Sequence, residues 1–222
     1  MKTLNNSTLK VLRLTKIERS QFLLSKELKE ILIGLFLGDL CASKQKSSVN
    51  ARLCFEQGFV HEEYLMHLYE LFKSYCGTVP KITNRVPDKR NGKIYTRIKF
   101  QTYALPCFTE LYNLFYPEGK KIVPENIGDL LTPLSLGYWI ADDGYWNGNS
   151  TFLCTNSFTL EEVKLLTKVL NDKLNLKCSI IEKVPGSAVY LIRISTKSVP
   201  HLRTLLTPIM PPMMKYKIFG KS

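Results

Sequence analysis

The sequence contains no Cys-x-x-Cys pair, and its three histidines, His61, His67 and His201, fall in no zinc-ligand spacing with the cysteines. A structural zinc centre is not expected. The six cysteines, at 41, 54, 76, 107, 154 and 178, are too sparse for a disulfide framework and read as reduced, mostly buried thiols from a reducing compartment. No run of 18 apolar residues is present, so no membrane span is expected. The N-terminus lacks a compact apolar core with a cleavage site. Instead residues 1–26 carry Lys2, Lys10, Arg13, Lys16, Arg19 and Lys26 against Glu18 alone, which reads as a basic arm, with an organellar transit segment as the alternative. Acidic residues are in short supply throughout: 19 against 31 basic ones, for a net charge of +12.

What is present is a chain able to fold. Hydrophobic residues make up 45% of 222 positions, which excludes a disordered or collagenous class and allows one large domain or two smaller ones. The excess positive charge points to a polyanionic partner, most simply nucleic acid. Its placement sharpens that reading. The stretch 79–100 holds Lys81, Arg85, Lys89, Arg90, Lys93, Arg97 and Lys99 against a single acid, Asp88.

The chain also repeats itself at a spacing of about 100 residues. Gln57-Gly58-Phe59-Val60-His61-Glu62-Glu63 matches Asn156-Ser157-Phe158-Thr159-Leu160-Glu161-Glu162, each closing an extended run and opening a helical one. Thr159 and Glu162 form a capping-box signature. Residues 95–102 match 189–196, and Gly34-x-x-x-Gly38-Asp39 matches Gly137-x-x-x-Ala141-Asp142-Asp143. The order is preserved, so the chain reads as a basic arm (1–26), a first module (27–122), a linker with Pro124 and Gly128 (123–130), and a second module (131–222). Hydrophobic periodicity gives each module the order α-β-β-α-β-β-α, an α+β class with antiparallel sheets.

The strands carry one apolar and one polar face. In 95–102, Tyr95, Arg97, Lys99 and Gln101 alternate with Thr96, Ile98, Phe100 and Thr102. Lys81, Thr83 and Arg85 form a second polar row, and Lys183, Arg193 and Ser195 are the corresponding candidates in the second module. Arg, Lys, Gln and Tyr suit phosphates and base edges, so these faces are candidate nucleic-acid surfaces.

The helix entering each module is apolar all round, as in Ile31-Leu32-Ile33-Gly34-Leu35-Phe36-Leu37, and must be buried on several sides. Gly34 with Gly38, and Gly137 with Ala141, give small-residue faces through which the two helices are expected to meet, backbone against backbone, about a pseudo-two-fold axis. That meeting brings Asp39 and Asp143 together at two helix C-termini, each already carrying partial negative charge. Such a site calls for a hard divalent cation, and beneath a basic groove it has the chemistry of phosphodiester hydrolysis.

Leu32–Leu40 and Leu136–Gly144 resemble the two LAGLIDADG motifs of homing endonucleases, single-chain two-motif type. The first keeps its leucine, glycine and eighth-position Asp39; the second keeps Leu136, Asp143 and Gly144. The first ends in Leu40 rather than Gly, and the second has Tyr138 where Gly is usual. The resemblance implies two modules packed through the motif helices, with their sheets forming a DNA-binding saddle. It implies metal binding by Asp39 and Asp143, helped by the carbonyls of Gly38 and Asp142, with Mg2+ as cofactor, Mn2+ able to substitute, and Ca2+ bound without cleavage. It implies catalytic lysines at Lys121 and Lys217 (Lys215 being a rival), and water-orienting roles for Gln57 and Asn156. Lys121 follows Gln57 at nearly the distance at which Lys217 follows Asn156. The implied product is a double-strand break across the minor groove with short 3′ extensions, made by a monomer on duplex DNA without a membrane or obligate protein partner. An RNA maturase acting on its host intron is the alternative, and a DNA-binding regulator on an inactive scaffold a third class; the intact Asp and Lys set favours the nuclease. An organellar origin, mitochondrion before chloroplast, fits the family. A surplus at Lys44–Ser48 should lengthen one hairpin tip in the first copy and make the target asymmetric.

Overall fold

The structure is a computed structural model and describes residues 14–45 and 48–220. Most of the basic arm before Leu14, and the centre of the Lys44–Ser48 surplus, lie outside the described residues. A short helix, α1 (Lys16–Ser20), precedes α2 (Lys26–Leu37), β1 (Cys41–Ser43), β2 (Arg52–Gly58), α3 (Glu62–Phe72), β3 (Lys81–Asn84), β4 (Thr96–Gln101) and α4 (Pro106–Phe115). A one-turn helix, α5 (Ile127–Leu130), lies in the connection. Then follow α6 (Pro133–Asp143), β5 (Gly144–Trp146), β6 (Thr151–Cys154), α7 (Leu160–Leu174), β7 (Cys178–Glu182), β8 (Tyr190–Ile194), α8 (Val199–Leu206) and α9 (Tyr216–Phe219). The expected α-β-β-α-β-β-α order appears twice. The sheets are antiparallel with orders β1-β2-β4-β3 and β5-β6-β8-β7, the same topology in both halves.

Local chemistry starts the helices where they start. Ser25 caps α2 by accepting from the Leu28 N–H at 3.1 Å. Thr132 and Ser135 cap α6 reciprocally, with Pro133 in the first turn, where its missing N–H costs nothing. Thr159 and Glu162 make the anticipated capping box on α7. The Glu162 carboxylate also accepts from the Val123 N–H at 2.8 Å, which ties the connection between modules to the second one.

Alternation along the strands sends Leu53, Phe55, Ile98 and Phe100 inward against Leu65, Leu68 and Phe72 of α3; Phe55 and Phe100 stack at 4.4 Å. In the second module Leu153, Ile192 and Ile194 meet Val163, Leu166 and Leu170 of α7. Both sets join α2 and α6 in one continuous core. Each such side chain, fully buried, contributes about 1.5–3 kcal/mol. No disulfide forms among the six cysteines, and the expectation of mostly buried thiols is not met: Cys41 is exposed and the other five are half-buried. Three of them stand on or beside the open sheet faces, where alternation rather than hydrophobicity decides exposure. Among the described residues no helix is long and apolar enough to cross a membrane.

The helix pair α2 and α6 forms the seam. A Cβ on Gly34 would lie 2.1 Å from the Ser135 carbonyl oxygen and 3.0 Å from the Trp139 nitrogen, and one on Gly38 would lie 2.5 Å from the Asp142 Cβ. Glycine is required there because the partner helix occupies that space. Gly137 is different. Its Cβ would meet Leu206 at 3.8 Å and Met210 at 3.9 Å, on its own module. The small-residue face expected on α6 is therefore corrected: α6 presents Ser135, Trp139 and Asp142 to α2, and Gly137 faces away. The two motifs, aligned on their aspartates, pair Gly34 with Tyr138 and Gly38 with Asp142, so the one-residue-shifted glycine match lies off the seam.

Candidate functional site

The C-terminal ends of α2 and α6 bring Asp39 and Asp143 close enough for the Asp39 charge to act on the Asp143 carboxyl. Asp39 is exposed and Asp143 partly buried. Gln57, near the end of β2, reaches Asp39 with its amide Nε2 at 3.5 Å from Oδ2. The side chain of Asp142 crosses the seam. Its Oδ2 accepts from the Asp39 backbone N–H at 3.1 Å, and its Oδ1 accepts from the buried Tyr64 hydroxyl at 2.9 Å. This carboxylate was assigned only through its carbonyl by sequence reasoning. The signal for it was that Asp142 stands where the first motif has Gly38, a position on the seam.

Both candidate lysines arrive at the same centre. Lys121 Nζ donates to the carbonyls of Gly38 (2.5 Å) and Leu40 (3.3 Å). Lys217 Nζ donates to Ala141 (2.6 Å) and Asp142 (2.8 Å), and Lys217 is only 7% exposed. The two ammonium groups thus sit symmetrically on the C-terminal carbonyls of the two motif helices, where cations are favoured by the helix dipole. Lys217 is fixed through α9: Thr151 Oγ1 donates to its carbonyl at 3.3 Å, and the Arg203 guanidinium lies over the rings of Trp146 (5.1 Å) and Phe219 (4.7 Å).

The charges are strongly coupled. Burial, then the Asp39 charge, pushes the carboxyl of Asp142 up to about 7, and the same two causes push Asp143 up to about 7 against the pull of Lys121 and Lys217. Burial lowers the pKa of both lysines, with the aspartates opposing it. Loss of hydration, followed by the Asp142 charge, raises the Tyr64 phenol well above its ordinary value. Burial is thus the first cause of both raised carboxyls, and repulsion among the aspartates adds to it. The described residues hold no cluster of three or more His, Cys, Asp and Glu side chains able to cage a metal alone. The exposed carboxylate of Asp39 and the partly buried one of Asp143 nevertheless fit Mg2+, which keeps several waters and takes few protein ligands. The carbonyls of Gly38 and Asp142 each accept from a lysine, Lys121 and Lys217, and each keeps a second lone pair beside the carboxylates of Asp39 and Asp143.

Asn156 is not placed like Gln57. Cys41 pairs with Cys54 and Tyr145 with Phe152, so counting along β2 and the end of β6 sets Thr155 opposite Gln57 by pseudo-symmetry. Thr155 is buried and donates to the Tyr190 carbonyl at 2.7 Å, whereas Asn156 is exposed in the turn that follows.

The open faces of the two sheets differ in chemistry. On the first, register aligns Glu56, Lys99 and Lys81 in one row and Arg97 with Thr83 in the next. Arg97 forks onto both Glu56 oxygens (2.9 and 3.0 Å) and donates Nε to Thr83 Oγ1 at 3.1 Å; Arg85 reaches Glu56 at 2.8 Å. Burial would raise Glu56, but these two guanidinium groups hold it below its usual range. Gln101 and Tyr95 are exposed on the same surface. On the second sheet Arg193 faces outward between Ser179 and Phe152, and Tyr145 stacks on Phe152 at 5.2 Å. Leu191 stands in the next row beside Cys154 and Ile181. Lys183, just past β7, pairs its N–H with the Val189 carbonyl at 2.8 Å. Ser195 departs from expectation: its hydroxyl oxygen is buried and meets no partner among the described residues, so it is not presented on the open face. Tyr145 was missed as an exposed ring of this surface; Phe152 and Leu191 share its side of the sheet by alternation but are buried.

Residues 29–202 match the model of the LAGLIDADG DNA endonuclease family. The chain belongs to that family. Among its relatives is the cytochrome b mRNA maturase bI2 of Debaryomyces hansenii, 39% identical over 198 residues, covering 88% of this chain and 74% of that protein. Among solved structures, the homing endonuclease I-WcaI bound to its DNA recognition sequence superposes with a TM-score of 0.83 at 31% identity, covering 90% of this chain and 89% of that one. I-DmoI in complex with DNA and Ca matches at a TM-score of 0.51 and 14% identity, covering 85% of this chain and 95% of that one, a likeness of fold.

Proposed function

We propose that this LAGLIDADG protein is an intron-encoded, site-specific endonuclease that cuts both strands of a long asymmetric duplex target, one phosphodiester per strand. The observation that carries the reading is the electrostatic coupling of Asp39 and Asp143 at two adjoining helix ends with Lys121 and Lys217, whose ammonium groups sit on the helix-end carbonyls. The likeness to a homing endonuclease captured on its recognition sequence supports duplex DNA as the substrate. Asp39 and Asp143 would hold divalent metal, Mg2+ or Mn2+ for cleavage and Ca2+ for binding alone; I-DmoI has been captured with DNA and Ca. A bound divalent cation would supply a water acidified toward neutrality and neutralise phosphoryl oxygens. The protein groups do the rest. Gln57 orients solvent at Asp39, Asp142 fixes the Asp39 backbone, and the two ammonium groups stabilise charge that develops on the phosphates. The cut is placed across the minor groove with short 3′ extensions. Two motifs in one chain complete the site, so a monomer suffices, and an organellar, most simply mitochondrial, source fits the relatives.

A maturase is the second reading, favoured by the maturase relative of Debaryomyces hansenii. Incubation of the protein with a randomised duplex library in Mg2+, followed by sequencing of the ends, separates the two. Breaks at one long site support the nuclease. Tight binding without cleavage in any divalent metal would overturn it, and acceleration of intron splicing would then be measured.

A further inference from the structure

The segment before α2 is built onto the first module. Thr15 caps α1 with a reciprocal Glu18 contact, which satisfies that carboxylate locally. Arg19 donates Nε to the Leu14 carbonyl at 3.2 Å and Nη1 to the Ala104 carbonyl at 2.7 Å. Further on, Phe22 lies against Tyr75 (5.8 Å) and Tyr103 (6.4 Å), and the Tyr75 hydroxyl donates to the Leu23 carbonyl at 2.6 Å. Between this arm and the sheet runs a cleft of about 840 Å³. Lys16, Arg19 and Arg52 line it with polar Gln45, Asn50 and Gln101, and no carboxylate is among its lining residues. Arg52 opens β2 and Gln101 closes β4, so the cleft continues the open face of the first sheet. It does so at the end remote from Asp39, because β1 leaves the motif aspartate and runs outward to Ser43, which pairs with Arg52. The second hairpin instead closes in a tight turn, the Asn147 N–H donating to the Ser150 carbonyl at 2.9 Å.

Resting on the duplex-DNA reading, we infer that the arm and the sheet end form a second grip on the same duplex, holding its sugar–phosphate backbone beyond the first module's half-site and on that flank alone. Arg19 is committed to two carbonyls and positions the arm. Lys16, exposed and without an ion pair among the described residues, is the phosphate contact, with Arg52 facing it across the cleft. The contact assigned to Lys16 is to a phosphate, which carries no sequence information, so it lengthens the footprint and adds salt-dependent affinity without adding specificity.

The test is equilibrium binding of the full chain, in Ca2+ and over a range of salt, to the duplex recovered from the cleavage selection and to versions trimmed at one end or the other. Lys16→Ala is expected to make the slope of log K against log salt shallower by about 0.9, the value for one lost phosphate contact, while leaving the preferred sequence unchanged. Trimming one flank is expected to weaken the wild type and erase the difference between the two proteins; trimming the other is expected to do neither. Lys164→Glu, a reversal on α7 away from the cleft, serves as the charge control. Equal slopes for wild type and Lys16→Ala, or equal losses on trimming either end, would overturn the grip while leaving duplex binding intact. Failure of the wild type to bind any duplex would remove the DNA reading itself, and the grip with it.

Discussion

Replacement of Gly34 by alanine tests the seam that holds the two aspartates together. An alanine Cβ would lie 2.1 Å from the Ser135 carbonyl oxygen, where ordinary contact begins near 3.4 Å, and that oxygen belongs to backbone that cannot swing aside. The helices would have to part by about 1 Å, and a gap of that size forfeits a quarter to a half of each dispersion contact it opens. Ile31, Leu35, Ser135 and Trp139, all 1% exposed or less, line the region that would loosen. Overpacking typically costs about 1–3 kcal/mol, more against backbone, and better helix propensity returns about 1 kcal/mol. A net loss of about 2 kcal/mol or more follows, which for a chain of this size lowers Tm by roughly 4–8 °C. Gly137→Ala is the matched comparison. Its Cβ meets Leu206 at an unstrained 3.8 Å, so propensity dominates and Tm is expected to rise by roughly 2–4 °C. Thermal unfolding of both variants in one buffer decides the matter. Wild-type stability in Gly34→Ala, or destabilisation in Gly137→Ala alone, would refute the packing.

Four further outcomes are expected. In the metal-free protein the folded-state pKa of Asp142 and of Asp143 lies near 7, above the unfolded value, so the native state binds more protons and stability falls as pH rises through that range. Relative to Asp142→Asn, the wild type should lose stability between pH 6 and pH 8, a comparison that cancels the opposing contribution of His67, whose pKa burial lowers; no pH difference between the two would contradict the burial. Lys217→Met should cut the cleavage rate by about 100-fold or more with little change in duplex affinity, a rate loss typical of removing one preorganised charge, and unchanged single-turnover rates would remove Lys217 from the reaction. Arg203→Ala should reproduce part of that loss by releasing α9, with Arg203→Lys rescuing it poorly, since an ammonium stacks less well on Trp146 and Phe219. Phe152→Ala should destabilise the protein by about 3–5 kcal/mol, since Phe152 is buried beneath the stacked ring of Tyr145, and wild-type thermal unfolding would contradict that burial.

Much of this architecture was legible in the chain because the determinants are local and repeated. The strand alternation around Ile98 and Phe100, the capping box of Thr159 and Glu162, and the all-apolar run Ile31–Leu37 each fix an element by themselves. The convergence of Asp39 and Asp143 followed from duplication. The features that escaped depend on register or on the partner helix. Gly137 shares the spacing of Gly34 with its small partner, yet a one-residue shift turns it to the other side of α6. Asn156 resembles Gln57 in sequence, but the strand pairing sets the buried Thr155 in that place. Ser195 continues the period-2 pattern past the end of β8, where the chain turns in and the pattern no longer reports a face. Asp142 was read for its carbonyl because only the three-dimensional seam shows its side chain holding the Asp39 amide and the Tyr64 hydroxyl.

The central claim is that paired aspartates on two helix ends each serve the cutting of a DNA strand. Strand-resolved cleavage of the selected duplex by Asp39→Asn and Asp143→Asn tests it most directly. The account predicts that neither variant makes the double-strand break and that any residual nick falls on opposite strands in the two proteins. A full double-strand break at the wild-type rate by either variant would contradict it.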